Sequence, residues 1–255
     1  MPELAAEDTM ASTTGVPERP PAATPETEPL LGRPGDASQV RGESIFKNLV
    51  LGTASIAQFG ILLLTVLIWA SVFTKPVILF SGHPLAQSLA ILTLVQSILS
   101  LQPTHTAEQK HAGQWMHASL NLLAFIFLVV GVFIIEYNKL ISNGIHFHSV
   151  HGYLGVITSI ILAVQYLAGF TMWATPQLYG GEANAKSFYK YHRVSGYVIL
   201  VLLLATVCSA TQTEYNENVL KIKLWAVILL AILILVGVLP RIQKQKFGFK
   251  APGTS

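Results

Sequence analysis

The chain has 255 residues, 52% of them hydrophobic and only 11% charged, which sets it apart from soluble domains and fits a polytopic membrane protein with one membrane domain plus a tail. The formal net charge of +3 conceals an acidic N-terminal stretch and a basic remainder, a pattern that membrane topology explains and nucleic-acid binding does not. The single cysteine, Cys208, sits in an apolar run and excludes an intramolecular disulfide, a CxxC redox pair, thiolate-ligated iron–sulfur clusters and a CxxCH haem attachment.

Residues 1–44 hold seven of the 13 prolines, eight acids and three arginines, with almost no large apolar side chain. Such a stretch cannot bury enough surface to fold, so a disordered cytosolic tail is expected. It has no basic region followed by an apolar run and is not a secretory signal peptide. Within it, Glu26-Thr-Glu-Pro-Leu30-Leu31 resembles the acidic dileucine signal that cytosolic adaptors read when routing proteins to endosomes, lysosomes or vacuoles. An endomembrane is therefore favoured over the plasma membrane.

Six apolar segments follow, at Leu49–Phe73, Pro84–Leu101, Trp115–Ile135, Val150–Trp173, Val194–Ala210 and Val219–Leu239, and only Lys221 and Lys223 interrupt them with charge. Backbone polar groups in lipid must be satisfied within the segment, so the predicted fold class is an all-α integral membrane protein with six transmembrane helices over residues 45–240. Placing the N-terminus in the cytosol puts twelve of the 16 Lys and Arg residues on the cytosolic side and four (Lys75, Lys139, Lys221, Lys223) on the other. Both termini are then cytosolic. The basic tail, residues 241–255, is expected to lay Arg241–Lys250 against anionic lipid headgroups.

Four histidines organise the middle of the chain: His83, His117, His151 and His192, at intervals of 34, 34 and 41 residues. A helix plus a short loop repeats at about that spacing, and successive helices alternate in direction. His83 and His151 thus fall near the non-cytosolic face, and His117 and His192 near the cytosolic one. Ionisable residues in a membrane are costly and mark function by default. His151 and His192 are each followed one turn later by a glycine, Gly155 and Gly196, while His83 and His117 are followed at that distance by an amide, Gln87 and Asn121. A glycine there clears room for a flat macrocycle against the helix, and two imidazoles from facing helices hold haem iron six-coordinate, an arrangement suited to electron transfer. Gly52, Gly60, Gly131 and Gly169 are assigned to helix packing. A zinc or proton site would call for carboxylates, and the apolar segments contain no Asp or Glu. The competing readings are a haem-free histidine-lined transporter of a metal or small solute, and a membrane adaptor working through its N-terminal tail. The first would spread polar residues along the helices, whereas this chain leaves its midplane apolar apart from Gln96, Thr158, Ser159 and Gln165.

His83-Pro84, His117 followed by Ala-Ser-Leu-Asn-Leu-Leu-Ala, His146-x4-His151-Gly152 and Lys190-Tyr-His192-Arg193-x2-Gly196 together resemble the cytochrome b561 family over residues 45–240, and within it the short ascorbate-dependent transmembrane reductases. The resemblance implies helices 2–5 forming a four-helix core around two b haems, His83 and His151 ligating one and His117 and His192 the other. It implies an ascorbate-type donor in the cytosol and monodehydroascorbate or a ferric chelate as acceptor across the bilayer, with His146 at the non-cytosolic substrate site. The chain departs from the family at the donor site, where the loop Gln102–Gln114 offers one Lys, Lys110. An enediolate anion docks on positive charge, which Lys190 and Arg193 supply from the other cytosolic loop. Lys186 is assigned to topology alone. The resemblance also allows a homodimer, since many homologous folds pair as dimers, although no helix here carries an unmistakable GxxxG face.

Overall fold

A peptide group in hydrocarbon has no water to bond, so an apolar segment of about 20 residues closes its hydrogen bonds on itself as a helix. The computed structural model describes residues 37–242, and all its long elements are helices: α1 (Ala54–Phe73), α2 (Gly82–Leu101), α3 (Ala107–Ser142), α4 (Val150–Ala174), α5 (Glu182–Ala210) and α6 (Leu224–Val238). Six helical stretches are long and apolar enough to cross a membrane. The dileucine-like Glu26–Leu31 and the tail lysines Lys244, Lys246 and Lys250 lie outside the described residues.

Two helices are much longer than their apolar segments. The sequence Thr106-x-x-Gln109 forms a reciprocal capping box, with Gln109 N–H donating to Thr106 Oγ1 at 3.2 Å, and starts α3 eight residues before Trp115. In α5, an acid at the first turn and a Glu182–Lys186 pair at 3.0 Å carry the helix through its polar N-terminal portion. The sixth helix instead starts late. Asn216 bonds the carbonyls of Thr211 and Ile222 and accepts from Ile222 N–H, closing a turn at Asn216–Leu220 that holds Val219 out of α6.

Helices α2 and α3 pack side by side, as do α4 and α5, and α1 lies along α6 against α2. Small residues set the α1–α6 approach: a Cβ on Gly237 would overlap the Ala57 backbone, one on Gly60 would come within 3.0 Å of the Leu230 carbonyl, and Thr53 donates to the Gly237 carbonyl at 2.9 Å. The buried core, including Ile61, Leu64, Val95, Leu99, Leu200 and Ile234, runs between these outer helices and the inner faces of α2 and α5.

The folded region reaches further at both ends than the apolar pattern suggests. Gln39, assigned to the disordered tail, is buried, donates its N–H to Pro103 and accepts from Asn48 through its side chain. Arg241, expected among lipid headgroups, is 3% exposed. Its guanidinium donates to the Gln102 side chain at 3.0 Å and to the carbonyls of Asn48, Leu99 and Leu51. Carbonyls at a helix C-terminus lack partners of their own, and the end of α2 carries negative dipole character. Arg241 answers both while tying the residues before α1, the end of α2 and the end of α6 to one another. Replacing it with methionine leaves these acceptors unpaired and should destabilise the detergent-solubilised protein by about 3 kcal/mol, read as a lowered unfolding midpoint. Arg241→Lys, which keeps the charge and loses the fork, should fall between.

Candidate functional site

The four histidines occupy matched places: His83 and His151 are the second residues of α2 and α4, and His117 and His192 the eleventh residues of α3 and α5. The alternation of helix direction then brings them together in two pairs. His83 and His151 face each other with ring centroids 6.1 Å apart and planes at 80°. His117 and His192 do the same at 6.4 Å and 82°. The rings are too far apart to stack and close enough to share one ion.

A neutral imidazole has one donor and one acceptor nitrogen, and the partner of the first decides which is which. His83 Nδ1–H donates to the Gly131 carbonyl at 2.9 Å, and His151 Nδ1–H to the Thr206 carbonyl at 2.9 Å. His117 Nδ1 lies 2.7 Å from the Ser97 hydroxyl and 3.2 Å from its carbonyl. Nε2 is left as the lone-pair nitrogen in each. Anchoring the far nitrogen of a histidine in this way orients metal-ligating imidazoles.

The anchors obey a rule that spans the four helices. Each stands fourteen residues beyond the histidine of its own helix: Ser97 after His83, Gly131 after His117, Thr206 after His192. In antiparallel α2 and α3, the anchor of each helix thereby meets the histidine of the other. Fourteen residues of helix is about 21 Å, which sets the separation of the two pairs along the bundle. The fourth member is Gln165, fourteen residues beyond His151. It donates to the His192 main-chain carbonyl at 2.7 Å and not to the ring, and His192 Nδ1 is buried without a hydrogen-bond partner.

Glycines divide by what surrounds them. A Cβ on Gly155 would meet nothing within 4 Å, and one on Gly196 only the Gln165 amide at 3.4 Å. Close helix packing therefore does not account for either. Gly131 and Gly169, assigned from sequence to packing, do pack closely, a Cβ on Gly131 coming within 2.5 Å of Gln87 Nε2 and one on Gly169 within 2.7 Å of His192 Cε1, and Gly131 also anchors His83. The amides satisfy neighbours instead of facing the gap, Gln87 bonding the Leu128 carbonyl and Asn121 the Ser97 hydroxyl. Of the midplane polar groups, Gln96 pairs reciprocally with Gln58, and Thr158 with Thr206.

A cavity of about 460 Å³ opens around His117 and His192, within the size range of cofactor sites. The Phe125 and Tyr166 rings, stacked at 4.6 Å, contribute to its apolar wall. Lys110, Lys186, Arg193 and Arg241 contribute positive charge. Lys190, expected among the docking cations, lies outside the lining, its Nζ 4.9 Å above the Tyr191 ring. Lys186, assigned to topology, lies within it. At the opposite end, exposed His146 is held by Glu136 at 2.9 Å. Phe147 beside it takes a left-handed backbone (φ 54°) and packs towards Tyr153 at 5.7 Å. Sequence reading gave no anchoring role to Ser97, Gly131, Gln165 or Thr206, because the constant offset has meaning only once the neighbouring helix is in place.

Comparison with known proteins finds membrane reductases among the relatives of this chain. Three relatives are the lysosomal membrane ascorbate-dependent ferrireductase of Rattus norvegicus, 28% identical over 135 residues (52% of either chain), the transmembrane ascorbate-dependent reductase of Homo sapiens, 25% over 129 residues (50% of either), and the transmembrane ascorbate ferrireductase 2 of Arabidopsis thaliana, 29% over 131 residues (50% of this chain and 54% of the relative). The chain spans about half the length of the curated relatives it matches. The family model of eukaryotic cytochrome b561 matches residues 82–217, from the residue before His83 to beyond the Thr206 anchor, and the chain belongs to the cytochrome b561 family.

Proposed function

We propose that the protein is a transmembrane oxidoreductase that takes single electrons from cytosolic ascorbate, or a close analogue, and delivers them through two bis-histidine b haems to monodehydroascorbate or a ferric chelate on the other side. The observation that carries this reading is the pair of facing imidazole couples, one towards each end of the same four helices, with Nδ1 anchored and Nε2 free in three of the four rings. The residues fit the group: two imidazoles per site, and a glycine, Gly155, whose missing Cβ leaves space that no protein atom fills. Among the described residues no three His, Cys, Asp or Glu side chains gather as a protein-only metal site. Pairs alone suit a cofactor that brings its own equatorial ligands, which favours this reading over a histidine-lined metal transporter. A bound six-coordinate b haem would supply reversible one-electron chemistry and no open position for oxygen.

The protein's own part is to bind, orient and shield. His83 with His151, and His117 with His192, provide the axial nitrogens. Lys110, Lys186 and Arg193 bring an anionic donor to the wide cavity, and Lys190 is left out of this set. At the other mouth His146, braced by Glu136, meets the acceptor. The orientation follows the loop charge: with Arg241 buried, eleven cytosolic cations still oppose four. The lysosomal relative and the dileucine-like stretch favour an endomembrane.

The deciding measurement is the dithionite-reduced minus oxidised spectrum of purified full-length protein, with its haem-to-protein ratio, repeated with ascorbate. About two b haems per chain are expected, at least one reduced by ascorbate; well-folded protein supplied with haem that binds none would overturn the reading. Single His→Ala variants should each hold about one haem. Combining His83→Ala with His151→Ala should cost no more than either alone, while His83→Ala with His117→Ala should empty the protein.

Gly155→Leu adds a side chain where the protein has open space. It should leave the unfolding midpoint of haem-free protein within about 0.5 kcal/mol of the parent and remove the haem of the His83–His151 pair. For the donor site, Lys110→Ala and Arg193→Ala should each slow reduction by ascorbate several-fold, and added salt should slow the parent in the same way. Dithionite reduction should not change, and Lys190→Ala should behave as the parent in stopped-flow traces.

A further inference from the structure

We infer that Gln165 is the positioning residue of His192, and that it holds this one imidazole by its main chain while leaving the ring nitrogen without an acceptor. The inference rests on the haem reading of the site.

Three observations carry it. The first is place: Gln165 stands fourteen residues beyond His151, where Ser97, Gly131 and Thr206 stand relative to their own histidines, and it too meets the histidine of the neighbouring helix. The second is bonding. Its Nε2 donates to the His192 carbonyl at 2.7 Å, and its Oε1 accepts from Ser195 Oγ at 2.8 Å. Ser195 Oγ also reaches the His192 carbonyl at 3.1 Å. Ser195 has one hydroxyl hydrogen and also reaches the Tyr191 carbonyl at 2.9 Å, so the firm hold on the amide is its own bond to the His192 carbonyl, with its oxygen turned to Ser195. The third is the orphan: His192 Nδ1 is buried and unpartnered, with Gly169 flush against the ring.

An acceptor at Nδ1–H pushes electron density into the ring and strengthens Nε2 as a ligand. His83 and His151 each have a carbonyl for this, and His117 has Ser97. His192 has none, so its pair is the weaker donor set, and the identity and rotamer of residue 165 set how much weaker. The same side chain controls the orientation of the ring, because it fixes the backbone turn from which the ring projects.

The test uses the haem-loaded full-length protein and three variants: Gln165→Met, which keeps the volume and loses both bonds; Gln165→Glu, which places a carboxylate at the turn that carries His192; and Ser195→Ala, which removes the hydroxyl bond to the amide oxygen. Redox titration and low-temperature electron paramagnetic resonance are the readouts. Gln165→Glu should lower the one-electron reduction equilibrium of a single haem about tenfold, which is about 59 mV, with the other haem unmoved. Ser195→Ala should move the same haem in the same direction by less. Gln165→Met should alter the resonance of that haem alone. The affected haem is the one that survives in Gly155→Leu. If all accumulating variants keep the parent's two potentials and both resonances and only unfold more easily, Gln165 is an interhelical packing residue and the inference fails. Ser195→Ala, the mildest change, still separates the two outcomes if the Gln165 variants do not accumulate. Parent protein that binds no haem would fail earlier, at the reading of the site.

Discussion

An imidazole taken into hydrocarbon needs a partner for its N–H, and this bundle offers almost no side-chain acids to provide one. The partners are main-chain carbonyls and a serine, found on the neighbouring antiparallel helix. Because α2 and α3 run in opposite directions, a single offset serves both: the histidine of each helix is anchored by a group fourteen residues beyond the histidine of the other. Pair separation, ring orientation and which ring nitrogen keeps its lone pair all descend from that offset. A change in the register of α2 against α3 would break both anchors at once.

This explains why part of the site was legible in the sequence and part was not. Six apolar segments with histidines at alternating ends identify themselves, since hydropathy and residue type are the information a sequence carries directly. Carbonyl anchors do not, because any residue has a carbonyl. Gly131 and Thr206 act through theirs, and the glycine at 131 reads as ordinary packing until the neighbouring helix is in place. Boundaries failed for a related reason: Thr106 and Gln109 start α3 through side chains outside the apolar stretch, and polar Glu182 and Lys186 extend α5 beyond it. Arg241 shows the opposite error. A basic residue after the last apolar segment reads as a lipid contact, and only the convergence of Leu51, Asn48 and Leu99 carbonyls gives it a buried destination.

The outer helices have a supporting part in this arrangement. Helices α1 and α6 meet through Ala57, Gly60 and Gly237 and hold no histidine of the pairs, but α1 packs against α2 and α6 against α5. Arg241 then joins their ends to Gln102, which donates in turn to the Tyr197 hydroxyl on α5 at 3.1 Å. Through this route the end of α6 is connected to the wall of the cavity around His117 and His192.

The two ends of the bundle are consequently unlike. Around His83 and His151 both rings are anchored by carbonyls, and the nearby exposed features are a histidine, a glutamate and a turn with a left-handed phenylalanine. Around His117 and His192 there is a wide cavity, several cations and one unanchored ring. Fixed positive charge near a site favours its more negative, reduced state, since low surrounding polarity leaves the field weakly screened; a ring without an acceptor is a poorer electron donor to iron and acts in the same direction. If the proposed haem reading holds, both asymmetries would favour uptake of an electron at this end. Under that proposal a raised potential at the entry end eases uptake and opposes onward transfer, so the direction would come from donor, acceptor and membrane potential, not from the ligand residues.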